Sequence, residues 1–187
     1  MEKKSKFEEI RISGEEIFNG KVLHVMRDEV LLPNGARSVR EYCRHNGAVC
    51  IIPLLSDGSV LVERQYRYAA GRELLEIPAG KLDTPDENPL SAAARELREE
   101  TGAVAKKYTF IGKMLGSPAI LSETVYMYLA EDISFGDNEL DDDEFIDVFK
   151  IPLSDLYRMV MDGEIEDSKT QIAVLKVWQL RGESGQI

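Results

Sequence analysis

The stretch GKLDTPDENPLSAAARELREETG, residues 80–102, has the signals of a capped helix with its acidic residues on one side. Asn88 suits the N-cap position, Pro89 the first helical position, and Gly102 the left-handed residue after the last turn. These signals predict a helix over about residues 89–101. At about 100° per residue, its buried stripe is expected to hold Leu90, Ala93, Ala94 and Leu97.

The glutamates of this helix share a second stripe. Glu96, Glu99 and Glu100 are spaced i, i+3, i+4, so their carboxylates converge on one patch. Like charges at these spacings cost roughly a few tenths of a kcal/mol per pair unless a cation neutralises them. Arg95 lies four residues before Glu99 and can orient it by an ion pair. A solvated acidic face explains the same pattern, so the helix alone leaves both solvation and metal binding open.

The segment before the helix favours a metal site. LLEIPAGKLD, residues 74–83, places a Pro-Ala-Gly turn after a β-like run. A glycine there lets the backbone approach a phosphate or offer a carbonyl oxygen to an ion. Because His24 and His45 are the only histidines, we expect a hard cation held by oxygen ligands, magnesium or manganese, rather than zinc.

Length and composition limit the class of protein. A chain of 187 residues, 43% hydrophobic and 30% charged, fits one globular domain with an appended segment. Its net charge of −11 argues against a nucleic-acid surface. The start, MEKKSKFEEI, lacks the apolar run of a signal peptide, and no window approaches the ~20 apolar residues of a membrane span. We therefore expect a cytoplasmic protein without membrane contact, in which Cys43 and Cys50 are buried or half-buried thiols.

The rest of the chain alternates β-rich and helical patterns. An Asn-Gly pair inside PNGA and the pair Asp57-Gly58 each join two β-rich runs, which predicts two hairpins. Further strands are expected at YTFIGKML, TVYMYLAE and FIDVFKIP. Two more helices are expected near residues 154–161 and 168–180, ended by Gly163 and Gly182. This order predicts an α/β (α+β) chain with a mixed sheet and helices packed against its faces.

The opening stretch resembles the Nudix box, G-x5-E-x7-R-E-U-x-E-E-x-G-U, where U is a bulky apolar residue. Nine residues correspond to its fixed positions: Gly80, Glu87, Arg95, Glu96, Leu97, Glu99, Glu100, Gly102 and Ala103. Two features depart from the pattern. Glu87 follows Gly80 by seven residues where the family has six, and Ala103 is small for the last apolar position. The insertion leaves open whether Asp86 or Glu87 takes the role of the first glutamate.

Over roughly residues 42–180 the chain resembles the ADP-ribose pyrophosphatase branch of the Nudix hydrolases. The similar segments are HNGAVCIIPLL, LVERQYRYAAGRELLEIPAGKLD, GSPAILSETVYMYLA, DDDEFIDVFKIPLSDL and DSKTQIAVL. The resemblance implies an α/β/α sandwich with a mixed central sheet over residues 46–187. It also implies a small N-terminal β segment, residues 1–45, that joins two subunits into a homodimer. Ala119 stands where many relatives have a glycine, which leaves the exact sugar nucleotide open.

The activity implied by the resemblance is metal-dependent hydrolysis of the pyrophosphate bond in a nucleoside diphosphate sugar. If the substrate is ADP-ribose, the products are AMP and ribose 5-phosphate. Two alternatives stay open: another nucleotide sugar such as GDP-mannose, and a sensor that binds ADP-ribose without cleaving it. The implied ligands of magnesium are Glu96, Glu100 and the carbonyl oxygen of Ala79, with Glu99 completing the cluster.

The resemblance also suggests roles outside the metal site. Glu144, in NELDDDEFIDV, is the expected general base, with Glu99 as second choice, and Arg95 completes the catalytic set. The ordinary alternative for Glu144 is a place in a solvated acidic turn.

Substrate binding is assigned first to an arginine, because a guanidinium fork suits phosphate oxygens. Arg67 is the first choice, Arg64 and Glu76 follow, and Glu123 is expected to help shape the pocket. A surface arginine and an edge-strand charge are the ordinary alternatives for Arg67 and Glu123.

Overall fold

The computed structural model describes residues 5–136 and 145–183, apart from the side chain of Glu183. The chain divides into two compact units. The first is Met1–Asn46 with Ser117–Glu123, and the second is Gly47–Gly116 with Thr124–Ile187.

The first unit contains one antiparallel sheet of three strands, in the order β1-β2-β3. The strands are β1 Ile10–Asn19, β2 His24–Leu31 and β3 Arg37–Arg44. The predicted hairpin is confirmed: a turn joins β2 to β3, with Gly35 at φ 83° and the Asn34 side chain accepting a hydrogen bond from the Ala36 amide at 3.0 Å. The sequence did not predict β1, because all ten of its residues are exposed and show no buried face.

The second unit contains a four-stranded sheet, order β7-β4-β9-β8, and a three-stranded sheet, order β10-β5-β6. Strands β4 and β9 are parallel and the other pairs are antiparallel. The strands are β4 Ala48–Pro53, β5 Ser59–Arg67, β6 Arg72–Glu76, β7 Ala79–Lys81, β8 Ala103–Met114, β9 Val125–Phe135 and β10 Ile146–Pro152. The helices are α1 Pro89–Thr101, α2 Leu153–Met161 and α3 Ser168–Glu183.

The pairing predicted for the second hairpin is wrong. The turn at Asp57-Gly58 forms, with the Leu55 amide donating to the Ser59 carbonyl at 2.8 Å and Gly58 at φ 82°. Strands β4 and β5 nevertheless join different sheets and share only the bridge between Leu54 and Val60. The reason is that β7 and β9 occupy both edges of β4, so neither edge is left for β5.

Strand β4 is the centre of the core because apolar side chains cover both of its faces. Val49 and Ile51 pack in one buried cluster with Leu97 of α1. Cys50 and Ile52 pack in a second cluster with Val174 of α3. Successive residues of a strand face opposite sides, so α1 and α3 lie on opposite faces of this sheet. The predicted α/β class, with a mixed sheet between helices, is confirmed.

Helix α1 has the predicted bounds, and Asn88 caps it by accepting hydrogen bonds from the amides of the first turn at 2.9 and 3.3 Å. The predicted buried stripe is partly wrong. The buried residues are Ala92, Ala93, Leu97 and Glu100. Leu90 is 44% exposed, because the helix is turned so that Glu100 faces the interior.

Two smaller expectations concern the other helices and the cysteines. Gly182 does not end α3, which continues to Glu183, since a single glycine in a helix costs only about 1 kcal/mol. Cys50 is buried and Cys43 is half-buried, as predicted. Burial raises the pKa of the Cys50 thiol to about 12.

Within residues 5–136 and 145–183, no helix combines the length and the apolar character needed to cross a bilayer.

Replacing Leu97 with alanine is expected to lower the free energy of unfolding by about 2–5 kcal/mol, because it leaves a cavity in the cluster shared with Val49 and Ile51. Leu90→Ala is the matched control on the same helix, and its exposed side chain predicts a loss below about 1 kcal/mol. Urea denaturation followed by circular dichroism measures both values. Equal losses would contradict the observed orientation of α1.

Candidate active site

A bend between β6 and β7 brings the backbone against helix α1. Ile77 and Pro78 separate the two strands, and the Pro78 carbonyl accepts a hydrogen bond from the Ile51 amide at 2.9 Å. On the other side of the bend, the Ala79 amide donates to Glu100 Oε2 at 3.0 Å. Glu100 is 4% exposed, so the last turn of α1 is tied to β7 through a buried carboxylate.

Gly80 leaves room for a second carboxylate of α1. A Cβ atom built on Gly80 would lie 1.9 Å from the Cδ atom of Glu96 and 2.0 Å from its Oε1 atom. Gly80 does not have a positive φ, so a glycine is needed here for space and not for a left-handed conformation. The sequence predicted a close backbone approach at this glycine. In the structure the approaching group is the carboxylate of Glu96.

Arg95 joins the carboxylates of α1 to the strand. Its Nη1 atom lies 2.7 Å from Glu96 Oε1 and 3.0 Å from Glu99 Oε2, and its Nη2 atom donates to the Lys81 carbonyl at 3.1 Å. Partial burial would lower the pKa of Arg95, but the nearby carboxylates, Glu96 first, raise it above its usual range. The predicted ion pair between Arg95 and Glu99 is confirmed.

The loop with the inserted residue also faces Arg95. Glu87 Oε1 lies 3.5 Å from Arg95 Nη2, and Glu87 Oε2 accepts a hydrogen bond from the Asp83 amide at 2.6 Å. Asp86 is exposed. Of the two candidates for the first glutamate, Glu87 is therefore the one that contacts Arg95.

The donor types at this site suit a hard divalent ion, since Glu96, Glu99, Glu100 and the Ala79 backbone offer only oxygen ligands. In the part of the chain that the structure describes, however, no three carboxylate, imidazole or thiol groups are arranged to hold a metal. The reason lies in the contacts above. Glu96 and Glu99 turn toward the Arg95 guanidinium, and Glu100 turns toward the Ala79 amide. The residues fit such an ion by chemistry, and binding it requires these side chains to reorient.

A second charged cluster surrounds the predicted phosphate-binding arginine. Arg67 Nε and Nη2 donate to Glu76 Oε1 and Oε2 at 2.8 and 2.7 Å. Lys169 of α3 also donates to Glu76 Oε2 and lies 3.0 Å from Asp167 Oδ1. Burial would raise the pKa of Glu76, but the Arg67 hydrogen bonds and the Lys169 charge outweigh it and hold the pKa below its usual value. Glu76 therefore holds Arg67 in place, a contact that the sequence did not predict.

Glu63 is the least solvated member of this cluster. It lies opposite Glu76 in the pairing of β5 with β6 and is 0% exposed. Gln65 donates to Glu63 Oε1 at 3.0 Å, whereas the buried Oε2 atom has no hydrogen-bond partner. Burial first, and then the charge of Glu76, raises the pKa of Glu63 to about 7. Sequence reasoning missed this residue, because a charge within a β-rich run gives no sign of its burial.

The remaining predicted residues have other contacts or lie outside the described ranges. Arg64 points to the opposite side of β5 from Arg67, and its guanidinium lies 5.3 Å from the centre of the Phe149 ring. Glu123 belongs to the first unit, where its Oε1 atom lies 3.5 Å from His45 Nδ1. Glu144 lies outside the residues that the structure describes.

The turn around Ala119 accepts alanine without strain. The Ile120 amide donates to the Ser117 carbonyl at 3.1 Å. Within residues 5–136 and 145–183, Asp132 is the only non-glycine residue with positive φ, so Ala119 has a conformation open to any residue. Alanine in place of glycine is therefore compatible with this turn.

The chain is similar to known proteins in both sequence and structure. A profile of the NUDIX domain matches residues 44–172. The chain is 41% identical to an ADP-ribose pyrophosphatase of Bacillus subtilis, over 89% of this chain and 91% of that one. It is 33% identical to a GDP-mannose pyrophosphatase of Pectobacterium atrosepticum, over 86% of this chain and 91% of that one. A crystal structure of an ADP compounds hydrolase superposes with a TM-score of 0.86 at 25% identity, covering 99% of this chain and 100% of that one.

Replacing Glu63 with glutamine is expected to make stability less dependent on pH. In wild type, the Glu63 carboxyl loses its proton near pH 4.5 in the unfolded chain and near pH 7 in the folded chain. The contribution of Glu63 to the free energy of unfolding therefore falls as pH rises from 4.5 to 7 and is constant above pH 7. Relative to wild type, Glu63→Gln should therefore gain roughly 2–3 kcal/mol more stability at pH 8 than at pH 5. Denaturant titration at both pH values measures this, with exposed Glu73→Gln as control. The same difference from wild type at both pH values would exclude a raised pKa.

Proposed function

This chain belongs to the NUDIX family and is a pyrophosphohydrolase, and we propose that its substrate is ADP-ribose, cleaved to AMP and ribose 5-phosphate. The observation that carries the proposal is the packing of α1 against β7, in which Glu96 lies on Gly80 and Glu100 on the Ala79 amide. The name of the Bacillus subtilis relative supports the choice of ADP-ribose.

The proposal includes a divalent ion, because NUDIX hydrolases generally need one. We propose magnesium, with manganese as the alternative, held by Glu96, Glu100 and the Ala79 carbonyl, with Glu99 beside them. When bound, the ion supplies positive charge to the phosphoryl oxygens and makes water a stronger nucleophile. The three glutamates lie within about one turn of α1, and binding the ion would require them to rotate away from their present partners.

The chain's own residues then have separate tasks. Arg95 balances the charge of Glu96 and Glu99 and keeps Glu99 in one orientation. Arg67 offers its guanidinium to a phosphate of the substrate. Glu144 is proposed as the general base that accepts a proton from the attacking water, with Glu99 as second choice.

A second candidate substrate is GDP-mannose. The Pectobacterium atrosepticum relative, a GDP-mannose pyrophosphatase by name, is 33% identical to this chain. The sensor alternative is not proposed, because the chain is a hydrolase. A homodimer and a cytoplasmic location stay predictions from the sequence.

A panel of nucleoside diphosphate derivatives, analysed by product chromatography, tests the substrate. ADP-ribose is expected to give equimolar AMP and ribose 5-phosphate with magnesium and no product with excess chelator, because the phosphoryl charge then has no cation to offset it. Preferential cleavage of GDP-mannose would transfer the proposal to the second candidate. Release of inorganic phosphate from ADP-ribose would contradict cleavage at the pyrophosphate bond.

Gly80→Ala tests the position of Glu96. The new methyl group meets the far end of a flexible side chain, so the fold should survive while the carboxylate is displaced. Because a misplacement of about 1 Å costs about 10²-fold in rate, turnover is expected to fall by at least that factor with a melting temperature close to wild type. Gly136→Ala is the matched control, since its nearest contact would be the Gly102 carbonyl at 4.0 Å. Wild-type turnover in Gly80→Ala would remove Glu96 from the proposed site.

A further inference from the structure

The cluster around Arg67 contains more charged groups than are needed to orient one arginine. Its cations are Arg67 and Lys169, and its carboxylates are Glu63, Glu76 and Asp167. With Glu63 protonated, the charges of the two cations and of the other two carboxylates sum to zero. With Glu63 ionised, the cluster carries one net negative charge. The charge next to Arg67 therefore depends on a single proton.

The guanidinium of Arg67 directs one edge toward Glu76, and its other edge is available for a ligand. Its Nε and Nη2 atoms hold Glu76, whereas Nη1 makes no hydrogen bond to any residue of the described ranges. The side chain is 41% exposed. A guanidinium clamped on one edge is fixed in direction, so its other edge can meet a phosphate with little loss of side-chain freedom.

Lys169 offsets the negative charge of the carboxylates beside Arg67. It shares Glu76 Oε2 with Arg67, and it is held in turn by Asp167 at 3.0 Å. The Thr170 hydroxyl donates to Asp167 Oδ2 at 2.5 Å and accepts from the Ile77 amide at 3.0 Å, which fixes this end of α3 to the bend before β7. Without Lys169 the buried carboxylates outnumber the cations, and an anion at Arg67 is repelled.

The charged and polar groups that face Glu63 come from three elements. These groups are Glu76 on β6, Lys169 on α3, and Gln65 and Arg67 on its own strand. Its neighbour in register on β10, Val148, is apolar. Because Oε2 is buried without a hydrogen-bond partner, no hydrogen bond stabilises the ionised form at that atom, and burial together with the charge of Glu76 outweighs the opposite effect of Lys169, Gln65 and Arg67. An anion bound at Arg67 adds negative charge and favours the protonated form further.

We infer that Lys169 and Glu63 are positioning residues for substrate binding: Lys169 holds Glu76 and Arg67 in a cluster without net negative charge, and protonation of Glu63 strengthens the binding of an anionic diphosphate at Arg67. This inference rests on the proposed function, in which Arg67 contacts a substrate phosphate. Because binding linkage is reciprocal, substrate binding in turn favours the protonated form of Glu63.

Two variants test the inference, because they should change KM in opposite directions. Lys169→Met removes a positive charge and is expected to raise KM for ADP-ribose about tenfold or more, with kcat changed less than about threefold. Glu63→Gln removes the negative charge and is expected to lower KM several-fold at pH 8. Steady-state kinetics with magnesium, from pH 6 to pH 8.5, measures both, with Glu73→Gln as control.

The pH profile separates positioning from loss of structure. Wild-type KM is expected to rise through about pH 7, and in Glu63→Gln this rise should disappear. A KM that increases in both variants, or a wild-type profile retained in Glu63→Gln, overturns the inference. If Lys169→Met does not fold, Glu63→Gln decides alone, since it replaces a carboxyl by a neutral group of the same shape. If wild type cleaves no nucleoside diphosphate sugar, the proposed function itself fails.

Discussion

The hydrogen bond from the Ala79 amide to the buried carboxylate of Glu100 fixes the geometry on which the rest of the site depends. A charged group buried without a partner is costly, whereas a hydrogen bond to a charged acceptor contributes roughly 1.5–3 kcal/mol. Helix α1 therefore turns Glu100 inward and leaves Leu90 outside. The same rotation brings Glu96 onto the bare backbone of Gly80. One contact between strand and helix thus places both carboxylates that are proposed to hold the ion.

Features set by neighbouring residues were predictable from the sequence, and features set by distant pairing were not. The bounds of α1 follow from Asn88, Pro89 and Gly102, all within or next to the helix, and the structure has them as predicted. The partner of β4 depends instead on which strand reaches each of its edges. Local turn chemistry at Asp57-Gly58 contains no information about that competition, so the predicted hairpin pairing was wrong.

The same distinction applies to the site. The ion pair of Arg95 with Glu99 lies within one helix turn and was predicted from spacing alone. The contact of Lys169 with Glu76 joins residues 93 positions apart, and no pattern in either segment signals the other. The burial of Glu63 was equally invisible, since it depends on the strands and the helix that cover it. The acidic residues of the candidate site could therefore be proposed from the sequence, whereas the residues that balance the charge around Arg67 were found only in the structure.

The two arginines differ in a way that bears on an acidic enzyme with an anionic substrate. At a net charge of −11, the chain as a whole repels a diphosphate, so attraction has to be local. Arg95 is surrounded by carboxylates, and its positive charge is neutralised by ion pairs with them. Arg67 is paired with Glu76, but Lys169 shares that carboxylate. Sharing Glu76 between two cations leaves Arg67 less fully neutralised than Arg95. This difference is the reason why Arg67, with Glu63 protonated, is proposed to bind the anionic substrate.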